Sequence, residues 1–394
     1  MAEELRRSRP VTPVLLDPLS GPSARWALRR VARLYGPAIR WAPWAWGLAY
    51  RASDSRAAFS LLRRTLLRLA DGPVEEMVAA LAPAVVVSFH PLTTAVAVAA
   101  ARRSPHRPPV VTVITDLVTT HVSWWSDDAD RIVVASAEAA ARLHRREIQP
   151  TRCLNLGLPV ARQFHGGALA PAERESLRRG LGLSPRSFTL VVTGGGEGAG
   201  GMYRSVSALI DGFDDIEVVA ICGRNDRLRR RLAPVAARAG GRLTVLGFVA
   251  NMADWMRCAD AVVTKAGPGT IAEATCCGAA MLLTGHLPGQ EAGNAEFVID
   301  SGAGRRVRRA GDLLREVARL RHDPDALRTM RAASARLGRP SAAAAIAGLL
   351  AELAPGDAAR VNGQAPLSAP APPPRCGQRA AASRRYGRCN CAPS

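Results

Sequence analysis

The feature that most constrains this chain is a recurring unit: a short apolar run, a turn of glycine or polar residues, then a helix-period segment. The apolar runs fall at Val85–Ser88, Val110–Thr115, Arg131–Ala135, Phe188–Thr193, Glu217–Cys222, Leu243–Leu246, Ala261–Val263 and Ala279–Leu283. Such runs read as strands buried on both faces, and helices between them imply parallel crossovers. The fold class is therefore α/β. Open sheets of this kind bind ligands beyond the C-terminal ends of their strands. The clearest unit opens at Ala261, turns through Gly267-Pro268-Gly269 and enters a helix at Thr270. A glycine turn at a helix N-terminus offers a phosphate both free N–H groups and the positive end of the helix dipole. Lys265, the only lysine in the chain, stands just before this turn. Glu273, one turn into the helix, can accept hydrogen bonds from a ribose; its plainer reading is a first-turn dipole residue.

Length and charge narrow the class. The chain has 394 residues, enough for two domains, with 48% hydrophobic and 22% charged residues. It has no apolar run of about 18 residues and no apolar core behind its first charged residues, so neither a membrane span nor a signal peptide is read and a cytoplasmic location is expected. The net charge of +20 favours an anionic partner: a nucleotide, an anionic membrane surface or nucleic acid. Nucleic acid is set aside, because the arginines are dispersed and no binding motif stands out. Eight cysteines show no metal spacing, so reduced thiols and no metal site are expected.

Taken in order, Ala2–Arg7 reads as the end of a helix and Val11–Leu16 as a strand. A parallel α/β domain ordinarily starts strand, loop, helix, so the first strand and its loop are expected to be missing. Trp26, Trp41, Trp44 and Trp46 lie among arginines, a pattern suited to a membrane interface, with core packing or an acceptor pocket as the alternative. His90, Asp116, His121 and Trp124 follow strand ends and are acceptor-site candidates; helix capping and satisfied loop histidines are the plainer readings. An N-terminal domain is expected over residues 1–160, a linker over 161–186 and a second domain over 187–352. Residues 353–394, rich in alanine, proline and arginine, are read as a disordered tail. In the second domain the strand ends carry Gly194, Gly195, Gly196, Glu197 and Gly198, then Asn225, then Phe248, Val249 and Met252, then Gln290 and Glu291. Two glycine turns in one domain with acid and amide groups nearby point to a nucleotide-sugar site. The glycine run fits neither the dinucleotide fingerprint nor a Walker A loop.

The segments VITDLVTTH at 113–121, GGGEG at 194–198, GRN at 223–225, GFV-x-NM at 247–252, TKAGPGTIAEA at 264–274 and PGQE-x-x-N at 288–294 together resemble the monogalactosyldiacylglycerol synthase family. More broadly they are similar to diacylglycerol glycosyltransferases and to the bacterial transferase that adds N-acetylglucosamine to the peptidoglycan lipid intermediate. The resemblance implies a GT-B architecture, two Rossmann-like domains facing across a cleft. It implies a UDP-hexose donor in the C-terminal domain and a lipid acceptor, diacylglycerol, in the N-terminal one. Gly194–Gly198 would face the diphosphate, with Phe248, Val249 and Met252 on the uracil. Gly267, Gly269 and Thr270 would hold phosphate, Glu273 the ribose, and Gln290, Glu291 and Asn294 the sugar. An inverting, metal-independent transfer is implied, with no cofactor, at the cytoplasmic face of the membrane. Family members begin with a strand running into a Gly-Gly-Gly-His loop whose histidine is the expected base. No such loop occurs in this sequence, which leaves His90 and His121 as candidates. The alternatives are a UDP-sugar-binding relic without a base and a transferase acting on the peptidoglycan-type intermediate.

Overall fold

The structure is a computed structural model that describes residues 1–8, 11–19, 24–26, 28–30, 33, 42–195 and 201–354. The tail after residue 354, expected to be disordered, and Trp41 lie outside the described residues, as do Gly196, Glu197 and Gly198.

Two parallel sheets organise the chain. The first runs in the order β1 (Val86–Ser88), β2 (Val110–Val113), β3 (Arg131–Val134) and β4 (Cys153–Asn155). The second has the order β10-β9-β8-β5-β6-β7, built from β5 (Phe188–Thr193), β6 (Ile216–Ile221), β7 (Leu243–Leu246), β8 (Ala261–Lys265), β9 (Ala280–Gly285) and β10 (Gly304–Arg306). Every pairing is parallel. The expected two-domain α/β architecture is present.

Strand alternation explains the layers. Along β8, Ala261 and Val263 enter one apolar core while Val262 enters the other. Along β5, Leu190 and Val192 face the core that holds Val206 and Leu232, and Val191 faces the one that holds Met256 and Ile271. Side chains two apart share a face, so helices on both sides force both faces to be apolar. The first sheet is covered in the same way. Val110, Ile132 and Val134 pack with Val96, Val98 and Leu143, while Val111, Val113 and Val133 pack with Ile346 and Leu350. That second cover comes from the far end of the chain: the Ala342–Leu353 helix leaves the second domain and closes the first sheet, beside the Ala2–Ser8 helix.

Residues 161–186 carry the chain between sheets while packing on the second. The Pro171–Gly180 helix sets Arg178 against Asp260, with Nη2 donating to Oδ2 at 2.6 Å, and Arg174 also donates to that carboxylate. Val11–Leu16 is corrected: it forms no strand. Val14 is 52% and Leu15 83% exposed, and an apolar stretch without a neighbouring strand gains no ladder.

Candidate functional site

The C-terminal ends of β5, β8 and β9 meet at one edge of the second sheet. Between β8 and β9 the register slips, with Thr264 opposite Leu283 but Lys265 opposite Gly285. The extra residue bends the strand ends, as bulges beside functional sites do. Gly267 caps the Pro268–Cys276 helix with Pro268 in its first turn. The N–H groups of Gly269 and Thr270 then have no intrahelical acceptor. Glu273 is partly buried, its carboxyl has no hydrogen-bond partner among the described residues, and burial pushes that carboxyl up to about 7. Gly195, with φ +73°, bends the glycine turn after β5, and its N–H donates to Thr193 Oγ1 at 3.3 Å. Phe248 is 68% exposed with the Arg224 guanidinium 5.8 Å from its ring centre, an open aromatic face. Val249 and Met252 are partly buried against the core behind it. Asn225 is engaged locally, its Oδ1 capping the Asp226–Arg238 helix at Leu228 N–H.

Lys265 is not a loose cation. Its Nζ donates to Glu291 Oε1 at 2.6 Å, and Glu291 Oε2 accepts from Leu287 N–H at 2.7 Å. Asn294 donates from Nδ2 to the Ala266 carbonyl at 3.0 Å; its Oδ1 is buried without a partner among the described residues. The 265–270 turn and the 288–294 segment are thereby tied into one wall.

The first sheet meets that wall. Asp116, just past β2, is 4% exposed; its Oδ2 accepts from Trp124 Nε1 at 2.6 Å and its Oδ1 from Gln290 Nε2 at 3.1 Å. Burial pushes the Asp116 carboxyl up to about 6, partly offset by those two hydrogen bonds. Thr119 Oγ1 accepts from Gly293 N–H at 3.2 Å, and a Cβ at Gly293 would come within 2.9 Å of Val118 Cγ1. From the Pro43–Ser53 helix, Tyr50 covers Gly289 so closely that a Cβ there would lie 2.9 Å from its ring, while Tyr50 Oη donates to the Thr119 carbonyl. Gly289 also has φ +84°, so glycine is required there twice over.

Residues 6–160 match the family model described as "Monogalactosyldiacylglycerol (MGDG) synthase", and residues 189–346 match "Glycosyltransferase family 28 C-terminal domain". The chain carries a monogalactosyldiacylglycerol synthase domain followed by a family 28 glycosyltransferase C-terminal domain. Among its relatives is probable monogalactosyldiacylglycerol synthase 2, chloroplastic, of Oryza sativa subsp. indica, 33% identical over 75% of this chain; the chain spans 63% of that protein's length. Monogalactosyldiacylglycerol synthase 1, chloroplastic, of Arabidopsis thaliana is 34% identical over 57% of this chain and 43% of its own. Among solved structures, Acinetobacter baumannii MurG has a TM-score of 0.55 at 17% identity, covering 73% of this chain and 78% of that one. Anabaena HepE in complex with UDP and glucose has a TM-score of 0.51 at 18% identity, covering 73% and 83%. At such identities the likeness is one of fold, and the fold is GT-B.

Within this family fold, the expected acceptor-side residues do not all face open space. Trp124 is 1% exposed and lies in the core of the first sheet, so it meets the site only through its hydrogen bond to Asp116, not as the ligand contact the sequence suggests. His121 is 6% exposed. Its Nδ1 accepts from Ser123 N–H at 3.1 Å, which leaves Nε2 to donate to Ser53 Oγ at 3.2 Å, and burial holds its pKa low. It is a neutral, fully partnered histidine. His90 is exposed and caps the Pro91–Arg103 helix, with Nδ1 accepting from Leu92 N–H at 3.3 Å. Sequence reasoning missed Tyr50 and Thr119 as parts of the wall; only contact across the two domains reveals them.

Proposed function

We propose that this chain transfers a hexose from a UDP-sugar to diacylglycerol, with inversion at the anomeric carbon and without a metal ion, on the cytoplasmic face of a membrane. The observation that carries the reading is the pairing of Glu273, an unpartnered carboxylate among the described residues, with the open N–H groups of Gly269 and Thr270 one turn away. Those N–H groups and the helix dipole suit a diphosphate whose charge grows as the glycosidic bond breaks. Glu273 suits two ribose hydroxyls, and the exposed ring of Phe248 suits a stacked uracil. Lys265, Gln290, Glu291 and Asn294 would line the sugar, with the Gly194–Gly198 turn over the phosphates. Solved structures of similar fold are described as complexes with UDP and with glucose, which supports the donor class.

On the acceptor side, inversion needs a base to take the proton of the attacking hydroxyl. Of the two candidate histidines, His90 alone keeps a ring nitrogen without a partner among the described residues, so it carries the base role in this reading. Exposed apolar residues support peripheral attachment to an anionic surface: Trp26 at 72%, Trp44 at 68% and Leu61 at 65%, beside a strongly basic sequence. Among the described residues no helix is long and apolar enough to cross a membrane. The plant relatives are named as chloroplastic; the cytoplasmic face is proposed for this chain from its sequence.

The test is transfer of label from UDP-galactose, UDP-glucose and UDP-N-acetylglucosamine into diacylglycerol held in anionic vesicles. A labelled lipid that disappears in Glu273→Ala and in His90→Ala supports the reading. A folded chain that binds UDP yet labels no lipid overturns it in favour of a binding protein.

A further inference from the structure

We propose that Asp116 is a positioning residue that fixes which end of the Gln290 side-chain amide is presented to the donor sugar. The inference rests on the reading above, in which Gln290 contacts the sugar. An ionised carboxylate only accepts hydrogen bonds, and an indole N–H only donates. Asp116 therefore meets Trp124 through Oδ2 and must meet the amide of Gln290 through its NH2 group. The Gln290 Oε1 is left on the other side of the amide as an acceptor for a sugar hydroxyl. Had the amide been turned over, the same position would offer a donor.

The surroundings hold this choice. Asp116 is nearly inaccessible, and Trp124, at 1% exposure, cannot swing away without opening the core. The backbone around Gln290 is pinned on both sides, by Tyr50 over Gly289 and by Thr119 Oγ1 on Gly293 N–H. Charged and titratable groups facing Asp116 are Tyr50, from the Pro43–Ser53 helix, and Glu291, whose charge is shared with Lys265. Protonating Asp116 reverses the logic, because its new O–H must donate and only Gln290 Oε1 can accept. The amide then turns, and a donor faces the sugar. Since burial holds this carboxyl near 6, the reversal occurs as pH falls through that value.

Asp116→Asn imitates the protonated state with little change of shape. Its amide oxygen must serve Trp124, so its NH2 faces Gln290 and forces Oε1 toward it. Adding Gln290→Glu to that variant restores an acceptor on the sugar side. The experiment measures affinities of the full chain for UDP and for the UDP-hexose it binds best, by calorimetry. Asp116→Asn is expected to weaken UDP-hexose binding about tenfold, the loss of one good hydrogen bond, and to leave UDP binding unchanged; the double variant recovers to within about threefold. UDP-hexose affinity of the unaltered chain is expected to fall below pH 6 relative to Asp116→Asn, in which Glu273 still titrates. If Gln290→Ala weakens UDP-hexose but Asp116→Asn weakens neither ligand, or both equally, the positioning role is overturned while the sugar contact stands. If Gln290→Ala changes neither affinity, the sugar contact itself fails and the inference with it.

Discussion

Glu273 offers a prediction in which stability and binding move in opposite directions. Burial raises its carboxyl from an ordinary 4.5 to about 7, so the folded chain holds a proton that the unfolded chain has already released. For an acid raised in this way the contribution to stability is complete below pH 4.5 and is lost as pH climbs to about 7. A tenfold change in proton affinity is worth about 1.4 kcal/mol, which gives about 3 kcal/mol in all; solvent reaching the partly exposed carboxyl lowers this to about 2 kcal/mol. Glu273→Gln removes the titration while keeping the shape. The variant is expected to match the parent at pH 4.5 and to exceed it by about 2 kcal/mol at pH 8, read from paired urea denaturation curves. It is expected to bind UDP at pH 8 at least about tenfold more weakly, as an amide replaces the carboxylate on the ribose. A stability difference that is the same at both pH values would refute the reasoning. So would an unchanged UDP affinity, which would remove Glu273 from the nucleotide site.

Two further outcomes follow from the same geometry. Phe248→Ala, at a ring 68% exposed, is expected to leave stability within about 0.5 kcal/mol while weakening UDP by about tenfold, the scale of one lost base–aromatic stack; an unchanged dissociation constant would remove Phe248 from the uracil site. Asp260→Ala strips Arg174 and Arg178 of their carboxylate and Thr189 N–H of its acceptor. Arg178 keeps the carbonyls of Cys258, Pro185 and Ser187, so the cost is expected at the low end for a broken buried pair, about 3 kcal/mol. A loss under about 1 kcal/mol by urea denaturation would show the cluster to be solvent-relaxed.

The sequence made the second sheet plain because its strands are buried on both faces. Runs such as Leu190–Val192 and Val262–Val263 have no polar side to confuse the reading. β4 and β10 escaped notice because Cys153–Asn155 and Gly304–Arg306 are only three residues each, the second largely polar, and pair only at sheet edges. Val11–Leu16 misled for the opposite reason, an apolar stretch with nothing beside it. At the site, residue types at strand ends pointed to Asp116 and Gln290, and the helix after the glycine turn pointed to Glu273. What they touch was not legible. Asp116 and Gln290 are separated by 174 positions, and no local pattern records that one chooses the orientation of the other. His121 and Trp124 were marked by type and place, yet burial rather than type decides what they can reach.

The return of the last helix to the first sheet bears on how the molecule is made. Val111, Val113 and Val133 lie against Ile346 and Leu350, so one face of the first sheet waits for residues that follow the whole second sheet. Until then the part of that face not covered by Met1 and Leu5 is an apolar surface on a nascent chain, the kind that chaperones hold and that aggregates when unprotected. The second domain, whose strands run from residue 188 to residue 306, has its own sheet in hand before the first is sealed. Order of completion therefore runs against order of synthesis: the half that emerges first from the ribosome is the half that finishes last.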